Sequence, residues 1–268
     1  VQSGRKIIAQ IAPAFVGQFG PDVSPQKLKT ALKELGFADV YETAIGADMG
    51  AIAEAEHYVH EVATGKLPFL LTSCCPSWSV LAKKFFPETI DNISNALTPM
   101  VATAREIKKE HPDAGVVFIG PCASKKLEAS RRTIRSDVDF VITFEELVGM
   151  FEAKGINPAE VEVPTEMEDA TGAGRGYGVA GGVASAIEAC IREYYPDVEV
   201  NIEHAESLAE CKKILMLAKA GKKKGCLIEG MACPGGCIAG AGTNIALPQA
   251  QKNVAAFQKE AKQALPDM

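Results

Sequence analysis

Eight cysteines occur in the 268 residues, and five of them lie in three short stretches whose neighbours suit metal chemistry. The richest is Glu229-Gly230-Met231-Ala232-Cys233-Pro234-Gly235-Gly236-Cys237, followed by Ile238-Ala239-Gly240-Ala241-Gly242. On a helix, Cys233 and Cys237 would share a face and aim two sulfurs into one site. Gly235 and Gly236 carry no side chain, so a bulky group can approach the backbone there. A disulfide across one helical turn would constrain almost nothing, so metal ligation is the favoured reading. The second stretch is Thr72-Ser73-Cys74-Cys75-Pro76-Ser77-Trp78. The third is Phe118-Ile119-Gly120-Pro121-Cys122-Ala123-Ser124-Lys125-Lys126-Leu127-Glu128.

Each stretch follows an apolar run of strand length, at 68–71, 116–119 and 225–229. Three strand ends thus present cysteine to a common edge, where open α/β sheets bind ligands. Residues 6–11 predict another strand, whose closing turn Ala12-Pro13-Ala14 points at the same edge. Further strands are predicted near 40–43, 138–142 and 199–203. The intervening segments read as helices, the first opened by the Ser24 cap with Pro25 in its first turn. Others are predicted at about 48–64, 77–86, 98–110, 143–154 and 206–219, with one ending at Tyr194 after Gly176-Tyr177-Gly178-Val179-Ala180-Gly181-Gly182. That glycine-rich run resembles a dinucleotide loop but lacks a strong strand before it. Residues 155–175 are polar and acidic and read as a surface loop. The alternation predicts an α/β fold of two lobes, each a mainly parallel sheet flanked by helices. The break at His111-Pro112-Asp113 places the division between residues 1–112 and 113–268.

Composition narrows the function classes. The chain is long enough for a large core, and 47% hydrophobic residues with 24 glycines suit a compact enzyme. A net charge of −6 without a basic run argues against nucleic acid or an anionic membrane as partner. No apolar run approaches the roughly 20 residues of a membrane helix. Arg5-Lys6 leads into a strand-like segment rather than a secretory signal, so a reducing cytoplasm is expected, and with it metal-bound rather than disulfide-bonded cysteine. The start at Val1 fits a fragment or a processed form. Cys190, Cys211 and Cys226 fall in helical or strand patterns and read as small core hydrophobes.

In chain order, the three cysteine stretches resemble the signature motifs of the iron-only (FeFe) hydrogenases, approximately TSCCPxW, MPCxxKxxE and ExMACxxGCxxGGGxP. The first matches throughout; the resemblance runs from Ile11-Ala12-Pro13 to Gly242 and covers the catalytic domain alone. It implies interconversion of dihydrogen with two protons and two electrons. It also implies a 4Fe–4S cluster joined to a diiron subcluster with carbonyl, cyanide and dithiolate ligands, in the cleft between the lobes. Matched by position, the cluster ligands are Cys75, Cys122, Cys233 and Cys237, the last bridging to the diiron unit. Pro13, Ala14, Gly120, Pro121, Met231 and Gly181 fall where the family lines its cofactor pocket.

The same resemblance makes Cys74 the last proton carrier, since a thiol can both donate and accept. Glu54 and Ser94 fall at the carboxylate and hydroxyl relays, Glu54 supported by the lead-in Gly46-Ala47-Asp48-Met49. The next outward carboxylate falls by count on His57, with Glu56 beside it; histidine can also shuttle protons. Lys125 falls where the family places a donor to the cyanide of the distal iron, and Glu128 at the second-motif glutamate. No ferredoxin-like cysteine cluster is present, so electrons must come from an electron-relay domain or a ferredoxin-like partner. Hydrogenase maturation proteins would supply the diiron unit.

The departures carry information. Gly120 stands at a methionine position, which should leave room beside the distal iron. Met100 replaces a glutamine, Ala14 a serine of some members, and the third motif ends Gly240-Ala241-Gly242-Thr243. Losses around an intact ligand set resemble the sensory, hydrogen-registering branch of the family. A second reading is a hydrogenase-like cluster-assembly protein without hydrogenase activity. A third, a structural zinc site, explains neither Cys74 nor Lys125.

Overall fold

The computed structural model describes residues 4–131, 135–162, 166–167 and 170–268. Seven short strands alternate with ten helices among them, because apolar runs of three to six residues are punctuated by proline- and glycine-marked turns. In chain order, β1 (Ile7–Ile11), α1 (Pro25–Glu34), β2 (Asp39–Glu42), α2 (Ala44–His57), β3 (Phe69–Leu71), α3 (Pro76–Phe85) and α4 (Pro99–Glu110) come first. They are followed by β4 (Gly115–Ile119), α5 (Ser124–Ser130), β5 (Phe140–Ile142), α6 (Phe144–Lys154), α7 (Gly172–Gly176) and α8 (Gly182–Tyr194). β6 (Asn201–Glu206), α9 (Leu208–Lys219), β7 (Cys226–Met231) and α10 (Leu247–Lys259) complete the chain.

Local chemistry sets several boundaries. Ser24 accepts from the Lys27 N–H at 3.2 Å and Pro25 occupies the first helical position, so α1 starts where its sequence predicts. Thr143 and Glu146 cap α6 reciprocally, and Gly155, at φ 65°, ends it in the left-handed region. The helix predicted over 48–64 begins earlier, at Ala44, and widens into a π-turn at Tyr58–Val62.

All strand pairs are parallel. Four strands form one sheet in the order β2-β1-β4-β5, and three form another in the order β3-β7-β6. β4 and β7 are buried along their whole length, as central parallel strands must be. Helices cover both sheets, so the α/β fold of two parallel sheets flanked by helices holds. The division at residues 112/113 does not. β4 pairs with β1, Ile8 opposite Val116, and β3 crosses to pair with β7, Leu70 opposite Leu227. The turn at His111-Pro112-Asp113 is a local break, whereas sheet membership is set by which apolar strands can bury each other at long range.

The core has three parts. One surrounds the four-stranded sheet, one lies between α2 and α8, and one joins α3 and α9 beneath the three-stranded sheet. Cys190 and Cys211 are fully buried in these cores and Cys226 nearly so. The segment predicted as a surface loop over 155–175 divides: residues 155–160 lie exposed or half-buried, but farther on Met167 and Ala170 are buried, and Thr171 bonds the buried Asp48 carboxylate through N–H and hydroxyl. Arg175, also buried, makes a fork to Glu42 at 2.9 and 2.7 Å and lies over the Phe257 ring. Residues 163–165 and 168–169 of that segment lie outside the described residues. No described helix is long and apolar enough to cross a membrane.

Candidate cofactor site

The C-terminal ends of β1, β3, β4 and β7, drawn from both sheets, open onto one cavity of about 170 Å³. β1 delivers the turn Pro13–Phe15, β3 delivers Cys74 and Cys75, β4 delivers Cys122, and β7 delivers Cys233 and Cys237. All five cysteines line the cavity, with Lys125, Pro13, Ala14, Pro121 and Met231. Cys75 is extended (φ −92°, ψ 112°) and caps the start of α3, held there by Pro76 at the first helical position. Between Cys233 and Gly236 the chain is not helical: Gly235 and Gly236 have φ of +86° and +89°, so a tight turn separates Cys233 from Cys237, which opens a short 3-10 turn. Gly230 leaves room for the Trp78 ring, since a Cβ there would fall 2.1 Å from it; this contact locks the first motif onto the third. Trp78 Nε1 also donates to the Thr72 carbonyl at 3.0 Å.

The donor set fits a thiolate-bound cluster. Cys75, Cys122, Cys233 and Cys237 are unpaired, and their partial exposure is toward the cavity they border. Burial raises the thiol pKa values of Cys75, Cys233 and Cys237, and the proximity of the other cysteines raises them further. Thiols held protonated in this way are stabilised as thiolates when bound iron replaces their protons. Among the described residues, no three His, Cys, Asp or Glu side chains converge as ligands to a single ion would. A structural zinc site would need its ligands to converge on one ion, whereas the four irons of a 4Fe–4S cluster need one sulfur each.

Around the cysteines lie groups that hold protons and charge. Burial, then the charge of Glu54, keeps the Cys74 thiol well above its ordinary pKa, so it is neutral. Glu54 is 2% exposed; burial pushes its pKa up to about 7, offset in part by hydrogen bonds from Ser73. Glu54 Oε1 lies 2.9 Å from both the Ser73 backbone N–H and its hydroxyl, while Oε2 is buried without a partner. Ser94 is held by its backbone N–H on the Leu71 carbonyl at 2.7 Å. His57, one turn along α2, has a buried, unpartnered Nδ1. Lys125 Nζ donates to Glu128 at 2.6 Å and to the Cys74 carbonyl at 3.2 Å, leaving a third N–H at the cavity wall. Burial works against its charge, but the Glu128 carboxylate outweighs this and holds its pKa above the usual lysine value. Glu128 is fixed in turn by the Thr98 hydroxyl at 2.7 Å.

Two predicted pocket residues stand behind the wall. A Cβ on Gly120 would lie 2.6 Å from the Phe118 ring and 2.9 Å from Ala12, so the space expected at the missing methionine is filled by Phe118, which lines the cavity. Gly181 instead donates its N–H to Glu229 at 2.8 Å, and Ala184 donates at 2.7 Å. An internal carboxylate thus occupies the α8 N-terminus, which disposes of the dinucleotide-loop resemblance; from that run, Tyr177 and Gly178 reach the cavity. Sequence reading missed Tyr177, whose hydroxyl is buried and unpartnered, and Ser77 and Ser124, which also line the cavity. Both serines stand two residues after a ligand-candidate cysteine, a spacing that is visible in the sequence.

Residues 5–241 match the family described as the iron-only hydrogenase large subunit, C-terminal domain, and the chain belongs to that family. It is 29% identical to iron hydrogenase 1 of Clostridium pasteurianum over 284 residues, covering 90% of this chain and 49% of that protein. It is 31% identical to the NADP-reducing hydrogenase subunit HndD of Solidesulfovibrio fructosivorans, covering 89% and 50%. The chain thus spans about half the length of these two relatives. It is also 25% identical to protein NAR1 of Arabidopsis thaliana, covering 90% and 66%. Among solved structures, an [FeFe]-hydrogenase studied for oxygen inactivation shares the fold at a TM-score of 0.81 with 24% identity, covering 99% of this chain and 87% of that one. An apo HydA1 variant from Chlamydomonas reinhardtii shares it at 0.78 with 23% identity, covering 97% and 86%.

Proposed function

We propose that this chain is the cofactor-holding unit of an iron-only hydrogenase, interconverting dihydrogen with protons and electrons. The observation that carries the reading is the single cavity bordered at once by Cys74, Cys75, Cys122, Cys233, Cys237 and Lys125. Cys75, Cys122, Cys233 and Cys237 would hold a 4Fe–4S cluster, with Cys237 shared with a diiron subcluster. When bound, that diiron group supplies the metal centre at which dihydrogen is formed or split. The protein's own residues do the rest. Ala12, Ala47 and Met100 give the cavity apolar walls. Lys125 supplies a fixed positive charge and a free N–H to an anionic ligand. Cys74 holds a proton at Sγ, and Glu54, with a pKa near 7, can accept or release one at neutral pH. Ser73 orients the Glu54 carboxylate, and Ser94 is the proposed hydroxyl relay of the same path.

The substitutions Met100 and Ala14 support slow turnover, suited to hydrogen sensing, whereas Gly120 opens no extra room because Phe118 fills the space. An electron-relay domain or a ferredoxin-like protein would exchange electrons with the cluster, maturation proteins would deliver the diiron unit, and the cytoplasm is the proposed location. Similarity to NAR1, a name shared with proteins called cytosolic Fe–S cluster assembly factors, favours a second reading: a 4Fe–4S protein of assembly type without hydrogenase activity. Infrared spectroscopy of maturase-exposed protein separates the two. Carbonyl and cyanide stretches are expected; a fully loaded 4Fe–4S cluster without them would leave the assembly-type reading.

A further inference from the structure

The hydroxyls of Ser77 and Ser124 lie 2.6 Å apart and both border the cavity that holds the four candidate ligands. Ser77 stands in the first turn of α3, two residues after Cys75, and Ser124 opens α5, two residues after Cys122. The bond therefore joins the helix that follows β3, of the three-stranded sheet, to the helix that follows β4, of the four-stranded sheet, at the wall of the cavity. Neither hydroxyl has another partner among the described residues, and neither caps its helix. Two hydroxyls carry two protons, and a bond between them uses one. Whichever serine donates, the other keeps an O–H beside Cys75 and Cys122, in a cavity with few other polar groups.

We infer that the Ser77–Ser124 pair is a built-in hydrogen-bond donor to the sulfurs of the 4Fe–4S cluster and raises its reduction potential. This rests on the cluster site proposed above. Reduction adds one electron and forms or breaks no bond, so the new negative charge spreads onto the inorganic and cysteine sulfurs. A donor aimed at those sulfurs stabilises the reduced form more than the oxidised one, because hydrogen bonds to charged acceptors are the stronger. The pair also enhances itself, since a hydroxyl that accepts one bond donates a better one. The residues are positioning groups that act through the cluster rather than on dihydrogen.

The test is a redox titration, monitored by electron paramagnetic resonance, of the full chain reconstituted with iron and sulfide and lacking the diiron unit. The double variant Ser77→Ala/Ser124→Ala is expected to lower the one-electron reduction equilibrium about tenfold, about 59 mV toward negative potential. Each single alanine variant should fall between wild type and double, and Ser124→Thr, which keeps the hydroxyl, should stay at wild type. A double variant with full cluster content at the wild-type potential would overturn the inference; a mere latch between the helices would lower stability and leave the potential alone. If the double variant takes up no cluster, the single variants decide, and both at wild-type potential would overturn it. Failure of the wild-type chain to take up a cluster would count against the proposed function instead.

Discussion

Replacing Glu54 by Gln should change how stability depends on pH, and the sign follows from its surroundings. The carboxyl is 2% exposed, accepts two hydrogen bonds at Oε1, and has no partner at Oε2. Its pKa is raised from 4.5 to about 7, chiefly by burial, with the Glu229 charge adding to it. In the unfolded chain the proton leaves near pH 4.5, whereas the folded chain holds it until about pH 7. Between those values unfolding releases a proton, so wild-type stability falls as pH rises and levels off above about 7. The ionised form costs the fold on the order of 3 kcal/mol, and about 2–3 kcal/mol of that arises between pH 5 and 8. The amide introduced by Glu54→Gln would keep an acceptor for Ser73 and cannot ionise. Urea denaturation of the metal-free chain and of Glu54→Gln, at pH 5 and pH 8, measures the effect. The variant should gain about 2–3 kcal/mol on wild type from the lower pH to the higher, other carboxyls such as Asp48 cancelling in the difference. An equal difference at both pH values would refute the raised pKa and, with it, the case for Glu54 as a proton carrier near neutrality.

Alanine at Cys75, Cys122, Cys233 or Cys237 should impair 4Fe–4S loading in iron and sulfide assays, whereas alanine at Cys190, Cys211 or Cys226 should not; full loading of Cys122→Ala would break the ligand assignment. Cys74→Ala should load the cluster normally but lower hydrogen turnover about 100- to 10,000-fold, as loss of a proton-transfer group does; wild-type turnover would mean another route for protons. Gly120→Met should destabilise the chain by about 1–3 kcal/mol through collision with Phe118, a cost that Phe118→Ala in the same chain should partly relieve. Unchanged thermal stability in Gly120→Met would show that the Phe118 ring moves aside freely. Arg175→Met should cost about 3–5 kcal/mol in chemical denaturation because it removes the guanidinium fork from the buried Glu42 carboxylate, and a loss below about 1 kcal/mol would mean that this buried pair contributes little net stability.

The chemistry of this protein is largely written in short contiguous runs. Cys74-Cys75, Cys122 to Glu128, and Cys233 to Cys237 each combine ligand-type residues with the turn residues that let a strand end there, so the ligand candidates and the alternating α/β pattern are legible without coordinates. Local signals also place the α1 and α6 caps, because a cap depends on neighbours within four residues. What only the tertiary structure decided depends on partners far away in the chain. The crossing of β3 to β7 and of β4 to β1 is fixed by mutual burial, so no local break could mark it. Gly120 is an empty position in the sequence and a filled one in the fold, because the Phe118 side chain two residues earlier turns into the same space. Gly181 looks like a phosphate loop until Glu229, 48 residues later, supplies the carboxylate its N–H was poised to bind. The raised pKa of Glu54 likewise exists only once the surrounding elements remove it from water, against the hydrogen bonds from Ser73 that pull it back down. Sequence names the groups that can do chemistry; burial and long-range pairing decide which are ionised, which are walled off, and which face each other.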